Sequence, residues 1–583
     1  MTRLANAHRI SLPVVGQPGG IRRSRAGRWR AGVLIGVHVL ILAHVAHWLV
    51  TGSTLTPVEP SEAMELGRRG VVNAGLVFFA VAGLSTLVVG RFACGWSCHL
   101  VALQDFCQWL LRKVGIRPMP LRSRLLAWVP TLAFAYMFLW PATYRLLRGL
   151  GFPALQNDFV TSEFWATFPG WAVALASIAI CGFAIVYLLG AKGFCTYACP
   201  YGALFAGADR FAPWRIRVSD ACDGCAHCTA VCTSNVRVHE EVRTHRMVVD
   251  AGCMKCLDCV SVCPRGALSL SFGRPAFFAR AARWRSGALA WSEELVLAIS
   301  FALCFFSVRG LYEAFPFLFS LGLAACFAFF SLVAWRLLGE GNVAVRRLQL
   351  LRAGRLQPAG RVFLLFFAMA VAFVAHSGAV QYWARIGSWH AGKVEGLWRV
   401  ALAEASRPAL GVGDRQRVEL AYEHLDRARR WGLAPQPRLA FPLAWLAFLS
   451  DRPEALAARA AEAAPDRDAA LAWRLVAHDA RWRGRVEVAE QAYRRALDLG
   501  VDEATYLDLG SLLSLAGRYE EAATVFSRGR ALLPKSAALA YNAALNRALE
   551  GKTGEAIAEC REALALDPGL LPATQLLADL ESR

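Results

Sequence analysis

The chain has 583 residues, 56% of them hydrophobic, and a formal charge of +20. A mean hydropathy of +0.37 is too apolar for a soluble protein and predicts a polytopic membrane protein of several domains. The arginines collect in short loops beside apolar runs, with no aromatic-basic stripe, so the charge reports membrane topology and excludes a nucleic-acid binder.

Residues 1–30 form a basic N-terminus containing Arg22, Arg23, Arg25, Arg28 and Arg30. The apolar run behind it, 31–50, lacks a small-residue cleavage site and reads as an anchor rather than a removable signal. Further runs near the ~20 residues that cross a bilayer lie at 71–90, 124–142, 170–190, 289–308, 315–337 and 362–380. Seven spans are predicted, the fifth beginning unusually at Glu293 and Glu294. Basic residues fill the loop after the second span (Arg91, Arg112, Lys113, Arg117, Arg122, Arg124), whereas the loop before it holds Glu59, Glu62 and Glu65. The positive-inside rule places the N-terminus and the loop after the second span in the cytoplasm. Arg336, Arg346, Arg347, Arg352 and Arg355 repeat the bias before the seventh span.

Residues 31–205 contain an internal duplication. The sequences RFACGWSCHLVAL at 91–103 and KGFCTYACPYGAL at 192–204 align without a gap, each behind two spans and each opening on a basic residue. Two copies starting on the same side are related by an axis along the membrane normal, which brings Cys94, Cys98, Cys195 and Cys199 to one cytoplasmic depth. Thiolates at a low-dielectric boundary need a metal or cationic neighbours to stay ionised, and Arg91 and Lys192 supply charge nearby. The four are an additional redox or metal site, as a third metal cluster or a dithiol relay, or else reduced structural thiols. Cys107, a turn or two beyond Cys98, is expected to pack.

Residues 206–275 hold two cysteine runs with the spacing C-x2-C-x2-C-x3-C, Cys222, Cys225, Cys228, Cys232 and Cys253, Cys256, Cys259, Cys263. This is the ligand spacing of a two-cluster bacterial ferredoxin, in which the fourth cysteine of each run crosses to the other cluster. Cys222, Cys225, Cys228 and Cys263 then hold one [4Fe-4S] cluster, and Cys253, Cys256, Cys259 and Cys232 the other. Zinc is the rival ligand, but two quartets of thiolates exceed the needs of one zinc ribbon. Cys263 is followed by Pro264, as the motif expects, whereas Cys232 is followed by Thr233. The segment falls on the cytoplasmic side, where structural disulfides do not persist.

Three further spans occupy 286–382, and residues 400–583 turn to amphipathic, alanine- and leucine-rich pattern. Gly484, Gly517 and Gly551 recur with Ala489, Ala522 and Ala556, and Pro534 and Pro568 close successive units. Small residues for close helix packing, a glycine turn and a closing proline are tetratricopeptide logic. The stretch from Arg415 to Pro465 reads as one or two degenerate repeats. Seven spans place these repeats outside the cytoplasm.

Intramembrane ionisable groups default to a functional reading because burying them is costly. His44 and His47 share one face of the first span, which also carries His38, and His376 lies on the seventh. They offer a quinone or haem site, or they hydrate at the interface. Cys181, Cys304, Cys326 and Cys560 read as packing residues.

The fold class expected is mostly α: a polytopic helical membrane protein with a small α+β bacterial 2[4Fe-4S] ferredoxin domain and a helical repeat solenoid. CGWSC and CTYACP, each C-x3-C at a span end beside a ferredoxin segment, resemble the NapH/NosR/CcoG family of membrane polyferredoxins over residues 25–275. Where the family has proline after the second cysteine, the first motif here has His99. The resemblance implies a protein of the bacterial inner membrane that passes electrons between the quinone pool or a cytoplasmic donor and a respiratory or periplasmic acceptor. It implies two [4Fe-4S] clusters, membrane lipid and an electron-transfer partner. The alternative is a redox-active assembly factor whose repeats bind a protein or peptide client while its clusters reduce a metal or thiol.

Overall fold

The computed structural model describes residues 23–116, 118, 121–167, 170–279, 289–346, 348–404, 407–464 and 467–582. Arg22 and the rest of 1–22, Arg117, Arg347, Pro465 and the start of the 286–382 segment lie outside them. The chain divides into two units, Met1–Ala375 and His376–Arg583.

In these units the described residues include six helices long and apolar enough to cross a membrane: Arg25–Thr51, Leu126–Leu147, Trp171–Leu189, Trp291–Val308, Phe317–Gly339 and Pro358–Gly392. The second expected span is the shorter apolar helix Ala74–Val89. Its ends are set chemically: Asn73 accepts from the Leu76 N–H at the start, and Gly90 at φ +69° turns the chain at the finish.

At 1.5 Å per residue the first helix is about 40 Å long and its neighbour about 24 Å. The connecting segment makes up the difference by running back along the first helix. Thr54 and Leu55 sit beside His47 and His44, and Glu59 and Glu62 lie against the start of Ala74–Val89, where a Cβ on Gly75 would come within 2.5 Å of the Glu59 carbonyl. Two short ribbons tie the segment to the loop after the third span, Thr54–Leu55 with Val160–Thr161 and Val71–Val72 with Gln156–Asn157.

The acidic start of the fifth span is accounted for by pairing. Glu294 is fully buried and accepts from Ser123 Oγ at 2.6 Å, Arg124 N at 2.9 Å and Leu125 N at 3.2 Å, next to the start of the third span. Glu293 meets Arg336 of the sixth span at 2.6 Å. The third span carries a π-helical stretch at Ala135–Leu139, directly before Pro141, whose missing N–H and bulky ring disrupt the regular ladder.

The cysteine-rich segment folds as an antiparallel ribbon, Arg215–Val218 against Leu268–Ser271, over a core of Ile216, Val236, Val242, Val248 and Leu268. In the second unit, helix pairs follow the repeat. Arg467–Trp482 and Val486–Leu499, Glu503–Leu515 and Tyr519–Leu532, and Ala537–Glu550 and Thr553–Leu566 turn at Gly484, Gly517 and Gly551, with φ of +72°, +76° and +88°. Those angles favour glycine. Ala489, Ala522 and Ala556 are fully buried between helices, where a larger side chain would prise them apart. Ala440–Leu449 and Pro453–Glu462 form a further pair within the region read as degenerate repeats.

Candidate redox site

The two cysteine runs are built alike. Gly224 and Ala226 in the first loop, and Lys255 and Leu257 in the second, have φ of +74°, +59°, +49° and +62°. Non-glycine residues in this region cost of order 1–3 kcal/mol each and persist where the surroundings require them. The turn after the fourth cysteine repeats as well: Asn235 and Gly266 both have φ +59°. Thr233 in place of proline therefore leaves the geometry of that turn intact, with asparagine taking the left-handed position it tolerates.

Cys232 lies within electrostatic reach of Cys253, and Cys259 within reach of Cys253, Cys256 and Cys232. Cys225 neighbours Cys263, and Cys228 neighbours Cys225 and Cys222. Burial, then Cys253, pushes the Cys232 thiol up to about 12. The Thr233 and Ser234 hydroxyls beside it are buried with no hydrogen-bond partner among the described residues. Thiols and orphaned donors turned inward fit an anionic, sulfide-bearing group better than a bare core.

The paired C-x3-C motifs also match element by element. Phe92–Ser97 corresponds to Gly193–Tyr197, and His99–Lys113 to Pro200–Asp209. The hinge residues Cys98 (φ −81°, ψ 123°) and Cys199 (φ −75°, ψ 110°) share one conformation. His99 takes the first helical position that Pro200 holds in the other copy, a place where the N–H has no intrahelical partner, so the substitution costs no backbone hydrogen bond.

The four thiols lie within electrostatic reach of one another, short of a closed metal-ligand set among the described residues. Cys98 neighbours Cys195 and Cys94, and Cys199 neighbours Cys195, Cys98 and Cys94. Burial and then those neighbours push the Cys98 thiol up to about 12. Such a thiol stays protonated at neutral pH unless a cation binds. Gln104 Nε2 donates to Cys195 Sγ at 3.0 Å.

The expectation that Arg91 and Lys192 both serve the thiols is corrected in part. Arg91 is buried next to Cys94, Cys195 and Cys199, but Lys192 turns to Asp105 Oδ1 at 2.5 Å and the Val101 carbonyl at 3.3 Å. A buried ammonium takes a carboxylate in preference to neutral thiols.

The loop between Cys253 and Cys256 seats on the membrane motif. Met254 packs with Val101, Cys98 and Cys195. A Cβ on Gly95 would stand 2.1 Å from the Met254 carbonyl, so only glycine admits this approach. Trp96 Nε1 donates to the Lys255 carbonyl at 3.0 Å, and Arg91 Nη1 to the Ala251 carbonyl at 3.1 Å. Asp209, fully buried, accepts from Lys255 Nζ at 2.8 Å, Arg215 Nη2 at 2.9 Å and Arg91 N at 3.1 Å. On the other side Arg30 bridges Asp105 at 3.0 Å and Asp258 at 3.7 Å, and Ser24 Oγ donates to Asp258 Oδ1 at 2.5 Å. Asp209, Lys255 and Asp258 look like ordinary charges in the sequence, and Arg30 reads there only as a topology charge. The one available signal was a lysine set between two ligand cysteines.

His44 Nε2 lies 3.0 Å from the Leu55 carbonyl, His47 Nδ1 3.0 Å from Thr54 Oγ1, and His38 Nδ1 2.8 Å from the Leu34 carbonyl. The first two contacts hold the returning segment, and the third lies within the first helix. His376 lies in the second unit. Cys107 and Cys181 are buried, each against a glycine, Gly182 and Gly322 respectively, and Cys304, Cys326 and Cys560 are buried as well.

Fold and site define a membrane-bound iron-sulfur electron-transfer protein. The 4Fe-4S dicluster domain family matches residues 221–268, and the 4Fe-4S binding domain family matches twice, at 73–117 and 171–219, each match enclosing one C-x3-C pair. The chain is similar to the ferredoxin-type protein NapH of Haemophilus influenzae, 27% identical over 235 residues, 38% of this chain and 74% of that protein. It is similar to the methylamine utilization ferredoxin-type protein MauN of Methylorubrum extorquens, 29% identical over 224 residues, 36% of this chain and 70% of that protein. Among solved structures, MamA aligns over 28% of this chain and 97% of its own, at 17% identity and a TM-score of 0.24.

Proposed function

We propose that this protein takes electrons from a membrane quinol at the four-thiol site and passes them through the ferredoxin segment to a partner protein. The observation that carries it is the seating of the Met254–Lys255 loop on Cys98 and Cys195, which joins the membrane site to the second cysteine quartet with no intervening layer.

Cys222, Cys225, Cys228 and Cys263 hold one [4Fe-4S] cluster, and Cys253, Cys256, Cys259 and Cys232 the second. Cys94, Cys98, Cys195 and Cys199 would hold a third, favoured over a dithiol relay because four thiols within reach of one another match the ligand count of a cluster rather than of a single pair. When bound, such clusters supply one-electron transfer. Arg91 offsets negative charge at the membrane site, Lys255 and Arg30 do so at the second quartet, and Gly95 lets the two approach. Cys222, exposed, gives the first quartet an edge for a redox partner. The helical repeats are the second docking surface, for a protein client.

Anaerobically purified protein should contain about twelve iron and twelve sulfide. About eight of each would leave the membrane thiols as a relay, and zinc without sulfide in folded protein would refute the assignment.

The ferredoxin segment lies in the cytoplasm and the repeats on the opposite side. The charge bias supports this, and Ser24 and Arg30 at the start of the first span touch Asp258 of the ferredoxin segment, which fits both lying on one side. A reporter fused after Ser271 should therefore read cytoplasmic, and one after Gly396 outside. Two fusions reporting the same side would remove one span from the count.

A further inference from the structure

The segment between the first two membrane helices does more than connect them. It brings acids to the far side of the four-thiol site, opposite the ferredoxin loops. Met64 packs in one cluster with Tyr201, Cys94 and Cys199. Glu59 lies within electrostatic reach of His99, behind which stands His38, and of Tyr201, which also faces Ser61 and Glu62. Ser61 Oγ donates to Glu59 Oε2 at 3.1 Å.

From there the acids lead outward. Glu62 neighbours Glu59 and Glu65, with Arg69 beyond, and Glu65 pairs with Arg68 at 3.0 Å and Arg69 at 2.5 Å, whose side chains are 60% and 73% exposed. Three carboxyls thus run from a half-buried position beside the thiols to solvent. A protein that needed only a linker would have no reason to place the Glu59 and Glu62 carboxyls at this depth, where desolvation is costly.

We propose that Glu59 accepts the protons of the quinol oxidised at the four-thiol site, and that Glu62 and Glu65 carry them to the face opposite the ferredoxin segment. The inference rests on the quinol reading above. Oxidation of one quinol to quinone breaks two O–H bonds and releases two protons and two electrons. The electrons leave one at a time through the thiol site to the iron-sulfur clusters, and each proton goes to the Glu59 carboxylate, which passes it on before the next arrives. Burial, then Glu59 and Glu65, raises the Glu62 carboxyl above its ordinary value, against the opposing pull of Arg69, which suits a group that holds a proton in transit.

The test uses the full chain in lipid nanodiscs, with iron-sulfur absorbance bleached either by a short-chain quinol or by dithionite. Glu59→Gln should slow quinol-driven bleaching at least about a hundredfold, the scale of a lost general base. Dithionite bleaching should stay unchanged, and Glu59→Asp should restore most of the rate. Glu62→Gln should give a smaller slowing with intact dithionite bleaching, so a folding defect in one variant leaves the other to decide. A wild-type rate in both Gln variants would overturn the proposal while leaving the quinol reading standing. Wild-type protein bleached by dithionite but not by quinol would overturn both.

Discussion

Serine in place of Cys94 and Cys98 should stop quinol-driven reduction of the ferredoxin segment, and serine in place of Cys195 and Cys199 should do so to the same extent. The two pairs lie within electrostatic reach of one another, Cys98 near Cys195 and Cys94, and Cys199 near Cys195, Cys98 and Cys94, so removing either leaves no complete set of ligands. Iron should fall by about four atoms per chain in each double variant. The spectra of the two ferredoxin clusters should persist, because their eight cysteines lie elsewhere. The quadruple variant should add little, as expected of groups that act as a unit. Unequal losses that multiply on combination would show two independent sites, with His99 marking the divergent copy.

Asp209→Ala should be the most destabilising single change outside the cysteines. Its carboxylate neutralises Lys255 and Arg215, both of them almost completely buried, and caps the Arg91 N–H. Deleting one member of a buried ion network leaves the others uncompensated, at about 3–5 kcal/mol. Lys255 lies between two cysteines of the second quartet, so the loss should appear both as a lowered melting temperature and as selective loss of that quartet's iron. Asp209→Asn keeps the shape and one acceptor and should lose less. Equal thermal stability of Asp209→Ala and wild type would show that the junction is held by packing alone.

Both effects arise where segments far apart in sequence meet, and that marks how far the sequence could be read. Cysteine spacing is local: three thiols two residues apart can wrap only one face of a cluster, so the two cysteine runs were legible as a dicluster segment before any fold was known. Repeat glycines and alanines were legible for the same reason, since each unit restates the same turn and the same helix contact. The gapless match of the two C-x3-C motifs made the duplication legible in the same way.

Two apparent defects in the motifs were undecidable from sequence and harmless in structure. Thr233 stands where proline was expected, yet Asn235 keeps the turn. His99 stands where proline was expected, yet Cys98 keeps the hinge angle. Proline favours these backbones without being required for them.

The sequence by itself determined the membrane class, the cluster chemistry, the duplication and the repeats, because each is written in residue type and spacing along one stretch of chain. Only the tertiary structure decided which charges matter. Arg91 faces the thiols while Lys192 answers to Asp105, Asp209 gathers three donors from three segments, and a short second helix draws Glu59 and Glu62 down beside His99 and Tyr201. The partner of a buried charge is set by which groups share its low-dielectric surroundings, and that is a property of the packed fold that no spacing encodes.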